Sequence, residues 1–218
     1  VQTQASAKGT LSGPDARLQV QARVEPVEQA EGEPMRADLQ AEVAPWQKQP
    51  LVKADATLQQ LDLARLWPQA PATRLTGEVH LGPEAAIGPN AWQGRVDLRN
   101  GQAGPWDEGR LPLDQLQGEV HYDGEQWTLP QAVFRRGAGT VEASGNWRPS
   151  PQPWQAQVTV RKLSLGDLHS QLAGAPLDGK VQANQKEGER THIDFSADLQ
   201  AQGGIGAKAG KGDPLGGL

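Results

Sequence analysis

The chain has 218 residues, of which 26 are Gly and 17 are Pro. Both are poor in helix interiors, which excludes a long helical bundle. Hydrophobic residues make up 36%, too few for a thick two-sided core but enough for a thin sheet with one apolar face. There is no Cys, which excludes disulfide staples, thiolate catalysis and Cys-ligated metal. The net charge is −5 with no basic block, which argues against a nucleic-acid partner. Apolar runs are only a few residues long, so no segment reads as a membrane-spanning helix. The first residues, VQTQASAKGT, lack the charged and apolar parts of a signal peptide. The chain therefore reads as an internal piece of a longer protein.

In chain order, the first strong pattern is strict alternation. Leu18, Val20, Ala22 and Val24 alternate with Gln19, Gln21 and Arg23. Met35, Ala37, Leu39, Ala41 and Val43 alternate with Arg36, Asp38, Gln40 and Glu42. The pattern breaks at LDLARLWPQAP (61–71), which reads as a strand end followed by a short helix, with Pro68 allowing little more than one turn before it. Alternation returns in Leu75–Leu81, Trp92–Leu98, Leu116–Tyr122, Thr140–Trp147 and Trp154–Val160. A period of two predicts half-buried strands with one wet face, which suits antiparallel pairing.

Turn chemistry separates these runs at 82–90, 99–105, 122–126 and 135–139. Asn100-Gly101 and Asp123-Gly124 are strong turn pairs, and the second predicts a tight hairpin. This spacing predicts roughly ten to thirteen strands. A second break, LSLGDLHSQLAGAP (163–176), predicts another strand end and short helix, capped by Asp167 and running through Leu172. The last residues, 202–218, are Gly-rich and aperiodic and read as a disordered tail behind a single repetitive segment, 1–201.

The two breaks belong to a repeat. A constant offset of 102 carries Thr57, Leu61, Leu63, Leu66, Leu75, Gly77 and Val79 onto Thr159, Leu163, Leu165, Leu168, Leu177, Gly179 and Val181. A shorter echo joins LTGEVH (75–80) to LQGEVH (116–121). Repeats built of strands imply an extended architecture in which each unit touches its neighbours.

Candidate chemistry is sparse. His80 and His121 each follow a Glu by two residues, and such pairs could hold a metal if their strands were neighbours. A solvated face sharing repeat ancestry is the preferred reading, and no metal or other cofactor is expected. Ser164, Asp167 and His169 are close in sequence but lack a nucleophile elbow. A phosphate loop at Gly210-Lys211 fails, because Ile205 stands where the first Gly belongs and Gly212 where Ser or Thr belongs. No enzymatic activity is expected. Among the seven Trp, Trp46, Trp67, Trp106 and Trp154 sit beside Pro, as indoles do at boundaries between dry and wet surroundings.

The main feature is the apolar face. Val79, Leu81, Val96, Leu98, Val120, Tyr122, Leu129, Val141, Val158, Val160 and Val181 are predicted to share it. Few helices are available to cover it, so the sheet must close on itself, fold into a trough or bind something apolar.

ATLQQLDLARLWPQAPATRLTGEVHL (56–81) resembles the repeating element of the TamB and AsmA-like proteins of Gram-negative bacteria. In that element a strand, a short helix ending in a Pro-rich turn and an L-x-G-x-V strand follow one another. The stretch 92–147 and the second copy, 158–184, look similar, and the resemblance covers about residues 10–200. It implies a long U-shaped β-sheet trough with an apolar inner face and one or two short helices. It also implies a periplasmic protein anchored in the inner membrane, which conducts phospholipid towards the outer membrane and supports outer-membrane assembly. Its expected partners are phospholipid acyl chains and, through the full-length protein, an outer-membrane barrel of the TamA type. The eleven residues above would then line a lipid groove. Two rivals remain at this point, a protein-binding or adhesin-like β-domain with a dry core, and a β-helical enzyme with a carboxylate or His cluster.

Overall fold

The computed structural model describes residues 1–26, 35–47, 50–88, 90–148, 154–172, 174–185 and 193–202. His192 and the Gly-rich run from residue 203 onward lie outside them.

Twelve strands form a single sheet in which the spatial order is the chain order. They are β1 (Gln2–Thr10), β2 (Arg17–Glu25), β3 (Arg36–Val43), β4 (Leu51–Leu61), β5 (Leu75–Pro83), β6 (Trp92–Asn100), β7 (Gln115–Tyr122), β8 (Trp127–Arg136), β9 (Gly139–Trp147), β10 (Trp154–Leu163), β11 (Leu177–Gln185) and β12 (Ile193–Ala201). Every strand pair is antiparallel, so the sheet is one long meander. It does not close into a barrel, because β1 and β12 each have only one neighbour.

Period-two alternation and this register act together. Most apolar residues pair with an apolar or small residue on the next strand, with Val133 opposite Gln117 and Glu142 an exception, so a slip of one position would turn a whole strand inside out. One row across the sheet runs Val24, Ala37, Leu58, Gly77, Leu98 and Leu116, and continues through Phe134, Val141, Val160, Gly179 and Leu199.

The β7–β8 hairpin forms at Asp123-Gly124. The Asp123 carboxylate accepts the backbone N–H groups of Glu125 and Gln126 at 2.9 and 2.7 Å, and the Tyr122 hydroxyl donates to the Gly124 carbonyl at 2.7 Å. Asn100-Gly101 opens a longer connection instead. There the buried Asn100 amide accepts from the Arg74 and Gln102 N–H groups and donates to the Leu111 carbonyl.

Among the described residues, regular helix is confined to single turns. A 3₁₀ turn covers Leu63–Arg65, capped by the Asp62 carboxylate at the Ala64 N–H, and another covers Trp106–Glu108. An α-helix, α1 (Leu165–Leu168), is followed by a 3₁₀ turn, Ser170–Leu172. The cap of α1 differs from expectation. Ser164 holds the N-cap position with no side-chain cap bond, and Asp167 lies inside the turn. His169 is extended (φ −151°, ψ 121°) and stops the helix before Leu172.

These turns all lie at one end of the strands, and they are tied along the sheet. Ala72 N–H donates to the Gly109 carbonyl at 2.8 Å, and Ser170 bonds Asp107 through both its N–H and its hydroxyl. Arg136 joins the Asp114 carboxylate to the Asp167 carbonyl. A small dry core sits under the first part of this rim, where Met35, Leu61 and Leu75 pack with Leu63, Leu66 and Leu111.

Candidate functional site: the apolar face

The eleven residues read from the sequence as face-lining all fall on one side of the sheet. Val79, Val96 and Gly118 are directly paired across β5, β6 and β7, as are Leu81, Gly94 and Val120. Leu98 belongs to the row already described, and so do Val141 and Val160. Val158 pairs with Val181, and Leu129 pairs with Gly145. A bulge between Leu129 and Ala132 keeps Leu129 on this side by adding one residue to β8.

The face is apolar but uncovered. Among the described residues no second sheet or helical layer stacks on it. Its side chains are nevertheless mostly half-buried, because neighbouring strands bring them together. The crowding is visible at Gly94, where a Cβ would come within 2.9 Å of the Val120 Cγ1. Small residues at Gly118, Ala132, Ala143 and Gly145 continue the narrow strip across β7, β8 and β9. Towards the free edge, Ile193 and Phe195 of β12 are 50% and 55% exposed.

The two ends of the face differ. At the end carrying the short turns, the buried side chains of Thr73 and Asn100 bond the backbone, and Arg65, Arg74 and Arg110 stand exposed around them. Thr73, 1% exposed, accepts from the Leu63 N–H and donates to the Leu61 carbonyl, both at 2.9 Å. At the opposite end stands a row of aromatic side chains. Trp92 pairs with Tyr122, Tyr122 with Trp127 and Trp127 with Trp147 across β6 to β9. The Tyr122 and Trp127 rings stack with centroids 4.8 Å apart. Strand-end Trp residues were legible in the sequence, but their alignment into one row depends on register. Trp46, Trp67 and Trp106 stand apart in the connections, and the Trp46 indole donates to the Leu11 carbonyl.

The other side of the sheet is polar and cross-linked by ion pairs. Arg23 reaches Asp38 at 2.7 Å, and Arg161 reaches Glu142 at 2.6 Å. His80 and His121 lie here, on strands separated by β6, so the two Glu-x-His elements do not meet. His80 Nδ1 is 2.6 Å from Asp55, and the hydrogen bond from His80, with a second from Lys53, holds the Asp55 carboxyl below its ordinary value. His121 is 2.8 Å from Glu84 and 3.2 Å from Glu119. Among the described residues no cluster of His, Asp or Glu is placed to hold a metal ion. Ser164, Asp167 and His169 form no relay. The nearest carboxylate to His169 is that of Asp107 at 3.6 Å, and its serine partner is Ser170.

Comparison with family models, with curated proteins and with solved structures gave no match.

Proposed function

We propose that the apolar face carries phospholipid acyl chains, and that the chain is a lipid-conducting segment of a periplasmic envelope protein of the TamB or AsmA-like type. One observation carries this reading: a single apolar face crosses the strands of an open sheet, and none of the described residues stacks over it as a second layer. Eleven strand spacings of about 4.8 Å make the face roughly 53 Å long, more than one lipid needs. Each methylene taken from water contributes about 0.8 kcal/mol. A chain moving along the face leaves one apolar row and enters an equivalent one, so passage needs no specific chemistry. In the full-length protein, an inner-membrane anchor and an outer-membrane barrel partner of the TamA type would place the two ends of such a path.

The test is a groove-blocked variant, Val96→Asp with Val141→Asp. Both side chains sit mid-sheet, with Val79 and Gly118 flanking the first and Phe134 and Val160 the second. Lipid transfer between donor and acceptor vesicles should fall while β-sheet circular dichroism is retained. Unaltered transfer by a folded variant would refute the reading.

A second reading has its own observation. Among the described residues the outer edges of β1 and β12 have no strand partner, and such edges add strands from a protein partner. It requires the face to be free of lipid.

A further inference from the structure

We propose that the outer edges of β1 and β12 pair with each other between two copies of this chain, so that the sheet continues, antiparallel, from one copy to the next. The inference names a partner for these edges and uses the edges alone, with or without lipid on the face.

The repeat supplies the template. β6 and β12 have nine residues each and begin 101 positions apart, at Trp92 and Ile193. Each presents a Leu to a Gly of the strand before it, Leu98 to Gly77 and Leu199 to Gly179. An Asp precedes the Leu in both, Asp97 and Asp198. Beyond β6 stands β7, where Gln117 lies opposite Asp97 and donates to its carboxylate at 2.9 Å. Beyond β12 no strand stands among the described residues. β1 has the pattern of β7: Gln2, Gln4 and Ala5 match Gln115, Gln117 and Gly118 in type and spacing.

Set in the place of β7, β1 brings Gln4 opposite Asp198, Thr3 opposite Leu199 and Ala7 opposite Phe195. Phe195 is 55% exposed, and every residue of β1 is exposed, so the pairing takes apolar surface from water at both edges. The backbones meet as well. The Gln202 N–H donates to the Pro176 carbonyl at 2.8 Å, and ladder bonds alternate along a strand, so Phe195, Ala197 and Leu199 turn their N–H and C=O groups outwards. Gly9 repeats against β2 the approach of Gly179 to β12: a Cβ would stand 1.9 Å from the Arg17 carbonyl oxygen and 2.0 Å from that of Asp198. Thr3, Ala5 and Ala7 therefore turn their groups outwards too.

Charge selects unlike edges. β1 carries Lys8 as its one charged residue, and β12 carries Asp194 and Asp198. Two β12 edges would set acid against acid, and two β1 edges would cover no large apolar side chain. The contact is head-to-tail, so copies add one after another rather than stopping at a two-fold dimer.

The chain has no Cys, so single-Cys variants report the register. Gln4→Cys mixed with Asp198→Cys should form the mixed disulfide about threefold or more faster than Gln4→Cys mixed with Ser196→Cys or Gln200→Cys. Sedimentation velocity of the unaltered chain should show an average mass that rises with concentration. Ala197→Pro removes an outward N–H and leaves the bonds to β11, so it should abolish the rise with β-sheet circular dichroism retained. The Cys variants test the same contact with no change to the backbone. Equal rates for the three Cys pairs would overturn the pairing, as would a faster disulfide between two Gln4→Cys chains. Constant mass up to about 1 mM, or an undiminished rise in folded Ala197→Pro, would also overturn it and leave the edges to a different protein.

Discussion

Gln60 and Lys162 stand 102 positions apart and share the same left-handed backbone, each with φ of 48°. They are the two non-glycine residues with positive φ among those described. Each lies in a bulge that ends its strand, between Leu58 and Leu61 or between Val160 and Leu163. The Gln60 N–H donates to the Thr76 hydroxyl at 3.1 Å, and the Lys162 N–H donates to the Asp178 carboxylate at 3.0 Å. The repeat is therefore conserved in conformation as well as in sequence. The bond to the following strand helps hold a conformation that non-glycine residues adopt at a cost. Thr76→Ala and Asp178→Ala should each cost about 1 kcal/mol, read from urea unfolding midpoints.

Gly77 and Gly179 occupy equivalent places in the same repeat, with φ of 147° and 153°. A Cβ at either would stand 2.0 Å from a backbone carbonyl oxygen, that of Asp97 or Asp198. The neighbouring strand cannot yield without losing its register. Gly77→Ala and Gly179→Ala should each destabilise by about 2 kcal/mol or more. Gly88→Ala, where nothing lies within 4 Å, should be close to neutral. Differential scanning fluorimetry of the three variants makes the comparison.

Thr73→Val keeps the shape of a buried side chain but removes its hydroxyl. The Leu63 N–H and Leu61 carbonyl then lose their partner in a dry site. The expected loss is about 2–3 kcal/mol in urea unfolding. Thr73→Ser keeps both bonds and should lose much less.

Acid should weaken the polar side of the sheet. The Asp38 carboxyl is held below its ordinary value of 3.8 by hydrogen bonds from Arg36 and then Arg23. Asp55 is held down by His80 and then Lys53. A lowered carboxyl contributes stability that is present above its unfolded value and lost as pH falls through its folded value. Unfolding midpoints should therefore fall below about pH 4, and Asp38→Asn should flatten that fall. Because these groups are partly exposed to solvent, the effect should be modest and shrink with added salt.

Much of the sheet was legible because period-two alternation is a local signal. The runs around Val20, Leu39, Val96 and Val158 needed only their own neighbours to be assigned to strands. The shared face of Val79, Val120 and Val181 was legible for the same reason. β1 was harder, since Gln2–Thr10 carries only Thr3, Ala5, Ala7 and Gly9 at the positions that alternate with Gln2, Gln4, Ser6 and Lys8. The Asp167 cap failed because Asp is equally favourable in a first turn, and Ser164 three residues earlier sets the start. The aromatic row was not legible at all. Trp92 and Trp147 are 55 positions apart, and only the register of three intervening pairs brings them into line.

The central claim is that the open apolar face holds lipid. Mass spectrometry of an organic extract tests it most directly, on the chain purified without detergent and shown to be folded and monomeric. The account predicts phospholipid in stoichiometric amount, and its loss in the Val96→Asp, Val141→Asp variant. A folded, monomeric sample free of lipid would contradict it.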